Sequence, residues 1–192
     1  MNVQRILVTG ATGFVGQRVC SQLESLGAVV VKTSRAPSSE PNTFQVQALG
    51  PHTEWREALQ GCTSVVHLAA RVHVMNENAV DPLFEFRQAN TEGTLQLARQ
   101  AVQCGVKRMV FISSIKVNGE AGEFTASSIP NPIDPYGISK YEAEQQLLEF
   151  SQQSGLEVVV LRPPLVYGPG VKANFLKLLG AVARGLPLPF GA

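Results

Sequence analysis

The stretch Thr9-Gly10-Ala-Thr12-Gly13-Phe14-Val15-Gly16, close to the start of the chain, decides the fold. Its three glycines stand between an apolar run and a segment with helical periodicity. Glycines at such a strand-to-helix turn permit a tight bend and close backbone approach to a pyrophosphate, which the helix N-terminus attracts. The spacing is GxxGxxG, not the GxGxxG of the dinucleotide-binding fingerprint. A turn without a ligand is the alternative, but the strand–turn–helix context favours a dinucleotide site.

Beyond this turn, short apolar strands alternate with longer amphipathic segments. The alternation is typical of right-handed βαβ units. It predicts the α/β class, as a Rossmann doubly wound parallel sheet with helices on both faces. The predicted strands are residues 3–9, 28–33, 44–48, 64–68, 108–113 and 157–161. The predicted helices are residues 14–26, 52–59, 79–104, 136–154 and 173–184.

Composition narrows the class of protein. The 192 residues are 44% hydrophobic and 16% charged, which is ordinary for a globular domain. A formal net charge of +1 gives no electrostatic reason to expect nucleic acid or a membrane as partner. No apolar run reaches about 20 residues, and no signal peptide is apparent. Three widely spaced cysteines form no metal-ligand pattern, so we expect no metal, reduced thiols and a cytoplasmic location.

A second motif, Tyr136-Gly-Ile-Ser-Lys140, indicates chemistry. Tyrosine and lysine at this spacing share one face of a helix. A free phenol has a pKa near ~10, and a nearby ammonium lowers it. Such a tyrosine can exchange a proton with an alcohol or a ketone. An isolated pair of this kind is most simply a surface pair on an amphipathic helix, and the other motifs favour the catalytic interpretation.

The end of the second predicted strand bears on the choice of cofactor. An acidic residue there would bind the ribose 2′-hydroxyl of NAD, whereas an arginine can accommodate the 2′-phosphate of NADP. The segment Lys32-Thr33-Ser34-Arg35 offers no carboxylate, and Arg35 could pair with a phosphate. The alternative is a solvated loop arginine. The residues therefore allow NAD or NADP and favour NADP.

Six segments in order carry a family resemblance: Thr9–Gly16, Val66-His-Leu-Ala-Ala70, Asn90-Thr-Glu-Gly-Thr94, Phe111-Ile-Ser-Ser114, Pro135–Lys140 and Leu161-Arg-Pro-Pro-Leu-Val-Tyr-Gly-Pro169. On these the chain resembles the extended short-chain dehydrogenase/reductase family. Within it, the chain is most similar to the NAD-dependent epimerase/dehydratase group that acts on nucleotide sugars, of the UDP-glucose 4-epimerase type.

The resemblance implies catalytic roles for Ser114, Tyr136 and Lys140. Ser114 would bond the reacting oxygen, Tyr136 would be the acid/base, and Lys140 would hold the nicotinamide ribose and lower the tyrosine pKa. The plainer alternative for Ser114 is a strand-capping hydroxyl, and for Asn90 a buried structural hydrogen-bonder. The implied cofactor contacts are Gly10, Thr12, Gly13, Phe14, Val15, Gly16, Ser34, Arg35, Leu68, Ala69, Ala70, Asn90, Tyr136, Lys140 and Pro163.

Substrate contacts are less determined. Lys116, Asn118 and Asn174 are polar candidates, and each could instead be a plain surface residue. Asn118 stands where the family usually has tyrosine, and Leu165 where it often has asparagine, which puts the particular hexose in doubt. Residues 1–170 are predicted as an NAD(P)-binding Rossmann domain that carries the catalytic residues. Residues 171–192 are predicted as the start of a substrate-binding region that is largely absent, so we expect the chain to bind cofactor but to turn over poorly alone.

The resemblance implies a nucleotide-sugar 4-epimerase that works through a 4-keto intermediate, with a homodimer through a four-helix interface. An NADPH-dependent nucleotide-4-keto-sugar reductase would use the same residues. A dehydratase is less favoured, because Ile115 and Lys116 follow Ser114 where an acidic residue is usual. From another class, the chain could be a non-catalytic NAD(P)-sensing binding protein, since fold alone does not give function.

Overall fold

A computed structural model of the chain describes residues 3–46, 48–72, 80–171 and 173–186, without the side chains of 173 and 174. Its centre is one parallel sheet of six strands in the order β3-β2-β1-β4-β5-β6. The strands are β1 (Arg5–Thr9), β2 (Val29–Ser34), β3 (Thr43–Gln45), β4 (Ser64–His67), β5 (Arg108–Ile112) and β6 (Glu157–Leu161). A strand lies at each of the six predicted positions, but β3 ends at Gln45, short of the predicted 44–48, of which residue 47 lies outside the described part of the chain. The strand order reverses between β1 and β4, where ligands bind in such sheets.

Side chains alternate between the two faces of the sheet, and each face has its own core. On one face Leu7, Val65 and Phe111 pack with the helices that follow β3, β4 and β5. On the other face Ile6, Val8 and Val30 pack against α1 (Phe14–Ser25). The predicted doubly wound arrangement with helices on both faces is confirmed.

The second predicted helix is shorter than expected. It was predicted over 52–59, but α2 spans only Arg56–Leu59. The segment before it is held in a turn by long-range contacts instead. Gln100 accepts from Trp55 N (2.7 Å) and donates to Thr53 O (3.0 Å), which satisfies the backbone groups that a longer helix would have used.

The helix predicted over 79–104 is not a single α-helix. It begins with α3 (Pro82–Phe86), because Asp81 caps the backbone N–H of Phe84 at 3.0 Å and proline is favoured in a first turn. A π-helical segment (Arg87–Glu92) follows, and α4 (Gly93–Gln103) completes the run. Residue 79 lies outside the described part of the chain.

The remaining helices flank the sites that the sequence singles out. A 3₁₀ turn (Ile115–Val117) follows β5, and α5 (Pro135–Ser154) carries the tyrosine motif. After β6 comes α6 (Ala173–Ala183). Val159 and Leu161 on β6 are 43% and 49% exposed, so the α1 face of the sheet is open at this edge strand.

Candidate active site

The glycine turn after β1 is closed to side chains. Gly10 has φ +67, and a Cβ there would lie 2.8 Å from Ala69 N. A Cβ on Gly16 would lie 2.1 Å from Gly10 O. Gly13, the N-cap of α1, has no side chain that could accept from the first N–H groups of the helix. This cradle fits a pyrophosphate, as the sequence predicts for Gly10, Gly13 and Gly16.

The rest of the turn is more open. Thr12, Gly13 and Phe14 are exposed, and Val15 is half-buried. Thr12 O accepts a hydrogen bond from Gln17 Nε2 at 3.0 Å, which fixes the entry to α1. These residues border the cradle without closing it, so a ligand can approach from solvent.

Beside the cradle, a cavity of about 330 Å³ runs between α1 and the end of β2. Thr12, Ser34 and Lys32 are among its lining residues. Lys32 Nζ pairs with Glu24 at 2.9 Å, which raises the pKa of the lysine. Arg35 is exposed and does not line the cavity, so the structure brings Ser34 to the predicted ribose site but not Arg35.

A buried chain of hydrogen bonds begins behind the loop after β4, Leu68–Ala70, for which the sequence predicts a cofactor contact. Thr9 Oγ1 accepts from the backbone N–H groups of Leu68 (3.2 Å) and Ala69 (3.1 Å). Both lone pairs of this hydroxyl are then in use, so its hydrogen points to His67 Nδ1 at 2.6 Å. The proton of His67 therefore sits on Nε2, which donates to Thr94 Oγ1 at 3.0 Å.

His67 is fully buried and stays neutral. Its ring stacks on Phe111, with centroids 5.9 Å apart. Burial, and next the charge of Lys140, lower the pKa of His67 to about 3. Its role is to orient Thr9 and Thr94, not to exchange protons near neutral pH.

The chain of hydrogen bonds continues to the tyrosine helix. Thr94 Oγ1 donates to Asn90 O at 2.6 Å, and Asn90 Nδ2 donates to Ser139 Oγ at 3.0 Å. Ser139 Oγ in turn donates to Tyr136 O at 2.8 Å. Asn90 also holds the backbone just after the loop that follows β4, because its Oδ1 accepts from Arg71 N at 2.8 Å. Asn90 is buried and hydrogen-bonded within the protein, and its contact with a cofactor stays a prediction.

Sequence reasoning missed Thr9, Thr94 and Ser139. The sequence does not single them out, because a small hydroxyl residue fits a buried face of a strand or helix whether or not its hydroxyl has a partner. The one available signal was the occurrence of all three within the motif segments.

Tyr136 lies at the start of α5 with its ring edge against Phe86, 6.1 Å between centroids. Burial raises the pKa of its phenol, and a hydrogen bond with Ser114 opposes that shift. Of the nearby charges, Asp134 raises the pKa and Lys116 lowers it. The sequence predicted the opposite net direction, with Lys140 as the cause, because it gave no measure of how deeply the ring is buried.

Lys140, one turn further along α5, is 1% exposed. Its Nζ lies 4.0 Å from the centroid of the Phe111 ring. Burial lowers the pKa of Lys140 to about 7, and the charge of Glu144 opposes the shift. The structure brings Ser114 and Tyr136 together, whereas the ammonium of Lys140 lies against the Phe111 ring.

The three substrate candidates are placed differently. Lys116 pairs with Asp134 and with Glu120, the latter at 2.9 Å. Asn118 is 6% exposed, and its Oδ1 accepts from Arg162 at 3.2 Å, so it is committed within the protein. Asn174 belongs to the first turn of α6, and its side chain is outside the described structure.

Pro163 lies just after the end of β6, next to the turn that begins at Ser114. Its carbonyl accepts from Ile115 N at 3.1 Å, so the loop after β6 lies against the turn that follows β5. Within the described residues, no group of three or more His, Cys, Asp or Glu side chains could hold a metal ion. In the same residues, no helix combines the length and the apolar character needed to cross a bilayer.

Comparison with known proteins gives consistent results. The sequence model of the NAD dependent epimerase/dehydratase family matches residues 6–187. A Vibrio cholerae protein named UDP-glucose 4-epimerase is 45% identical, over 97% of this chain and 59% of that protein. A Hordeum vulgare dihydroflavonol 4-reductase is 31% identical, over 88% of this chain and 55% of that protein.

Solved structures agree. MoeE5 in complex with UDP-glucose and NAD superposes with a TM-score of 0.75 at 32% identity, over 96% of this chain and 62% of that one. The chain therefore spans between half and two thirds of the length of these proteins.

Proposed function

The chain belongs to the NAD dependent epimerase/dehydratase family, and on that premise we propose that it is the cofactor-binding and catalytic part of a nucleotide-sugar 4-epimerase. The observation that carries the proposal is the placement of the Ser114–Tyr136 pair and the glycine cradle at the same edge of one parallel sheet. The Vibrio cholerae relative is named for this activity on UDP-glucose, which supports a UDP-hexose as substrate.

NAD is the cofactor we propose, since MoeE5 is solved with NAD and the family is NAD-dependent. Gly10, Gly13 and Gly16 would receive the pyrophosphate, and Ser34 would face the adenosine ribose. Leu68, Ala69 and Ala70 would lie against the dinucleotide, with Lys140 at the nicotinamide ribose and Pro163 beside the carboxamide. When bound, the nicotinamide supplies hydride transfer.

The protein's own part is proton transfer at the sugar. The Tyr136 phenol would take the proton from the hexose 4-hydroxyl and return it after the ring has turned over in the site. Ser114 would donate a hydrogen bond to the same oxygen, where charge develops. Burial raises the pKa of Tyr136, which favours the phenol form that would protonate the 4-keto oxygen. The step that takes the 4-hydroxyl proton would need the phenolate, so the ring would first have to lose its own proton.

A reductase is the second candidate, and two observations favour it. The end of β2 carries no carboxylate among Lys32, Thr33, Ser34 and Arg35. The absence of an acidic side chain there favours a cofactor with a 2′-phosphate. One relative is named dihydroflavonol 4-reductase. Such an enzyme would consume reduced cofactor in each cycle. A non-catalytic cofactor sensor would need no Ser114–Tyr136 pair, which makes it the weaker alternative.

The test uses the full-length protein with a panel of UDP-hexoses, and follows both the sugar products and the nicotinamide absorbance. For a 4-epimerase we expect the 4-epimer to form with no net change in absorbance. Tyr136→Phe should lower kcat by at least about a hundredfold, since a positioned acid/base contributes roughly 10²–10⁴-fold. Net loss of reduced cofactor with a 4-keto sugar would show the reductase, and binding without turnover would contradict both enzymes.

Two further expectations remain proposals. Residues 1–170 would form the cofactor domain, and residues 171–192, with α6, would begin the sugar-binding region. The chain would form a homodimer through the helices predicted over 79–104 and 136–154. Phe84 on α3 and Leu148 on α5 are 54% and 47% exposed, which supports this interface.

A further inference from the structure

Lys116 is a predicted sugar contact whose side chain is instead held in ion pairs with two carboxylates. Its ammonium pairs with Asp134 and with Glu120. We call Lys116, Glu120 and Asp134 the Lys116 clamp. The clamp connects the two parts of the proposed active site. Lys116 belongs to the turn that Ser114 begins, and Asp134 caps the helix that carries Tyr136.

The backbone at both ends is tied into the same contact. Lys116 N donates to Ser114 Oγ at 3.2 Å, so the lysine fixes the serine hydroxyl through its main chain. At the other end, Asp134 Oδ1 caps α5 by accepting from Gly137 N at 2.5 Å. A Cβ on Gly137 would lie 2.9 Å from Lys116 O, so the turn and the helix touch directly beside Tyr136.

One carboxylate therefore serves two purposes. Asp134 caps the helix that carries the phenol with one oxygen, and with the other it binds the lysine that follows Ser114. The clamp thus joins the turn that begins at Ser114 to the N-terminus of the helix that carries Tyr136.

We propose that Lys116 is a positioning residue, whose side chain clamps the Ser114 turn to the N-terminus of α5 through Asp134 and so presents Ser114 and Tyr136 to one oxygen atom. This role replaces the direct sugar contact expected from the sequence. The inference rests on the proposed function only for what the two hydroxyls do, not for the clamp itself.

The charges around Tyr136 show why the lysine also matters electrostatically. Asp134, on the same helix, raises the pKa of the phenol, and the Lys116 ammonium lowers it. From α5 itself, Lys140 is directed to the Phe111 ring, and Glu144 is bound by Arg162 of the segment after β6.

Two more charged groups lie between β4 and α4, Arg71 in the segment after the strand and Arg87 in the π segment. The Arg71 guanidinium is 5.5 Å from the centroid of the Phe86 ring, which packs on Tyr136. Arg87, of the π segment, pairs with Glu142 at 2.5 Å. Lys116 is thus the cation that offsets the charge of Asp134 at the phenol.

The test compares Lys116→Met with Lys116→Arg in the full-length protein. A first measurement titrates the Tyr136 phenol by ultraviolet difference absorbance against a Tyr136→Phe background, and it needs no substrate. A second measures kcat and KM for the UDP-hexose at neutral pH. Lys107→Met, an exposed lysine at the opposite end of β5, is the matched control.

We expect Lys116→Met to raise the apparent pKa of the phenol and to lower kcat about fivefold with little change in KM, as for loss of a half-exposed ion pair. Lys116→Arg should restore both, and Lys107→Met should change neither. If Lys116→Met does not fold, Lys116→Gln removes the charge and keeps a hydrogen bond to Asp134.

An unchanged phenol titration in the charge-removing variant would overturn the proposal. So would a raised KM with normal kcat, which would mark a sugar contact. If the wild-type protein turns over no sugar, the proposed function fails, and the phenol titration alone still decides the clamp.

Discussion

Replacing Lys140 with methionine should make this protein more stable while it removes a residue of the proposed active site. Lys140 is 1% exposed, with its ammonium over the face of Phe111. Methionine has a similar length and no charge to desolvate. Glu144, the nearest carboxylate, keeps its ion pair with Arg162 and is not left unpaired by the change.

The magnitude follows from the pKa. Burial lowers the pKa of Lys140 from 10.5 to about 7. In the unfolded chain the amine is protonated at pH 7, so folding at that pH carries the free-energy cost of lowering the lysine pKa from 10.5 to about 7. At about 1.4 kcal/mol per unit, this is close to 5 kcal/mol of unfolding free energy. The lost contact with Phe111 reduces the gain, and we expect about 3 kcal/mol, within the range seen when buried charges are replaced by apolar residues.

The sign of the pH dependence provides the sharper check. Between pH 7 and 10.5 the unfolded state binds more protons than the folded state, so the stability of the wild-type protein rises with pH. The advantage of Lys140→Met should be full at pH 7 and should shrink as the pH approaches 10.5. Urea unfolding followed by circular dichroism at pH 7 and pH 9.5, with Lys107→Met as control, measures both. A variant less stable than wild type at pH 7, or a gain that is equal at both pH values, would refute the reasoning.

Two further predictions concern the buried polar centre and the glycine cradle. Folding lowers the pKa of His67 from 6.5 to about 3. Between these two pH values the imidazole is protonated in the unfolded chain and neutral in the folded protein. Wild-type stability should therefore fall by about 2 kcal/mol from pH 6.5 to pH 5, and His67→Gln should flatten that fall in urea midpoints. Parallel curves for the two proteins would speak against it. Gly16→Ala places a methyl group 2.1 Å from Gly10 O, so NADH affinity measured by fluorescence should drop at least tenfold, with about 1–3 kcal/mol of stability lost. Gly180→Ala, where a Cβ meets open space, should do neither.

Much of the fold could be predicted because its signals are local. Each strand of the parallel sheet is a short apolar run, and the glycine turn is indicated by its place between such a run and a segment with helical periodicity. The helix boundaries that went wrong depend on distant residues. Gln100 holds the segment at Thr53 and Trp55 out of the helical conformation, and nothing within that segment indicates it.

The candidate site shows the same division. The positions of Ser114, Tyr136 and Lys140 follow from the motifs, but the direction of the tyrosine pKa does not. That direction depends on how far the fold buries the phenol away from water. One residue that buries it, Phe86, lies fifty positions earlier in the sequence. Spacing on one helix gives the neighbours of a group, whereas burial is a property of the whole fold.

The π segment between α3 and α4 has a consequence for how this protein can vary. A π turn holds an extra residue, because its hydrogen bonds reach i+5, and each residue advances a helix by about 100°. Shortening Arg87–Glu92 by one position would leave Thr94 pointing at His67 but would swing Phe86 off Tyr136 and Arg87 off Glu142. The number of residues between Phe86, which packs on Tyr136, and Thr94, which binds His67, is therefore fixed. Insertions and deletions should be tolerated in the loops at either end of the run from α3 to α4, and not within that run.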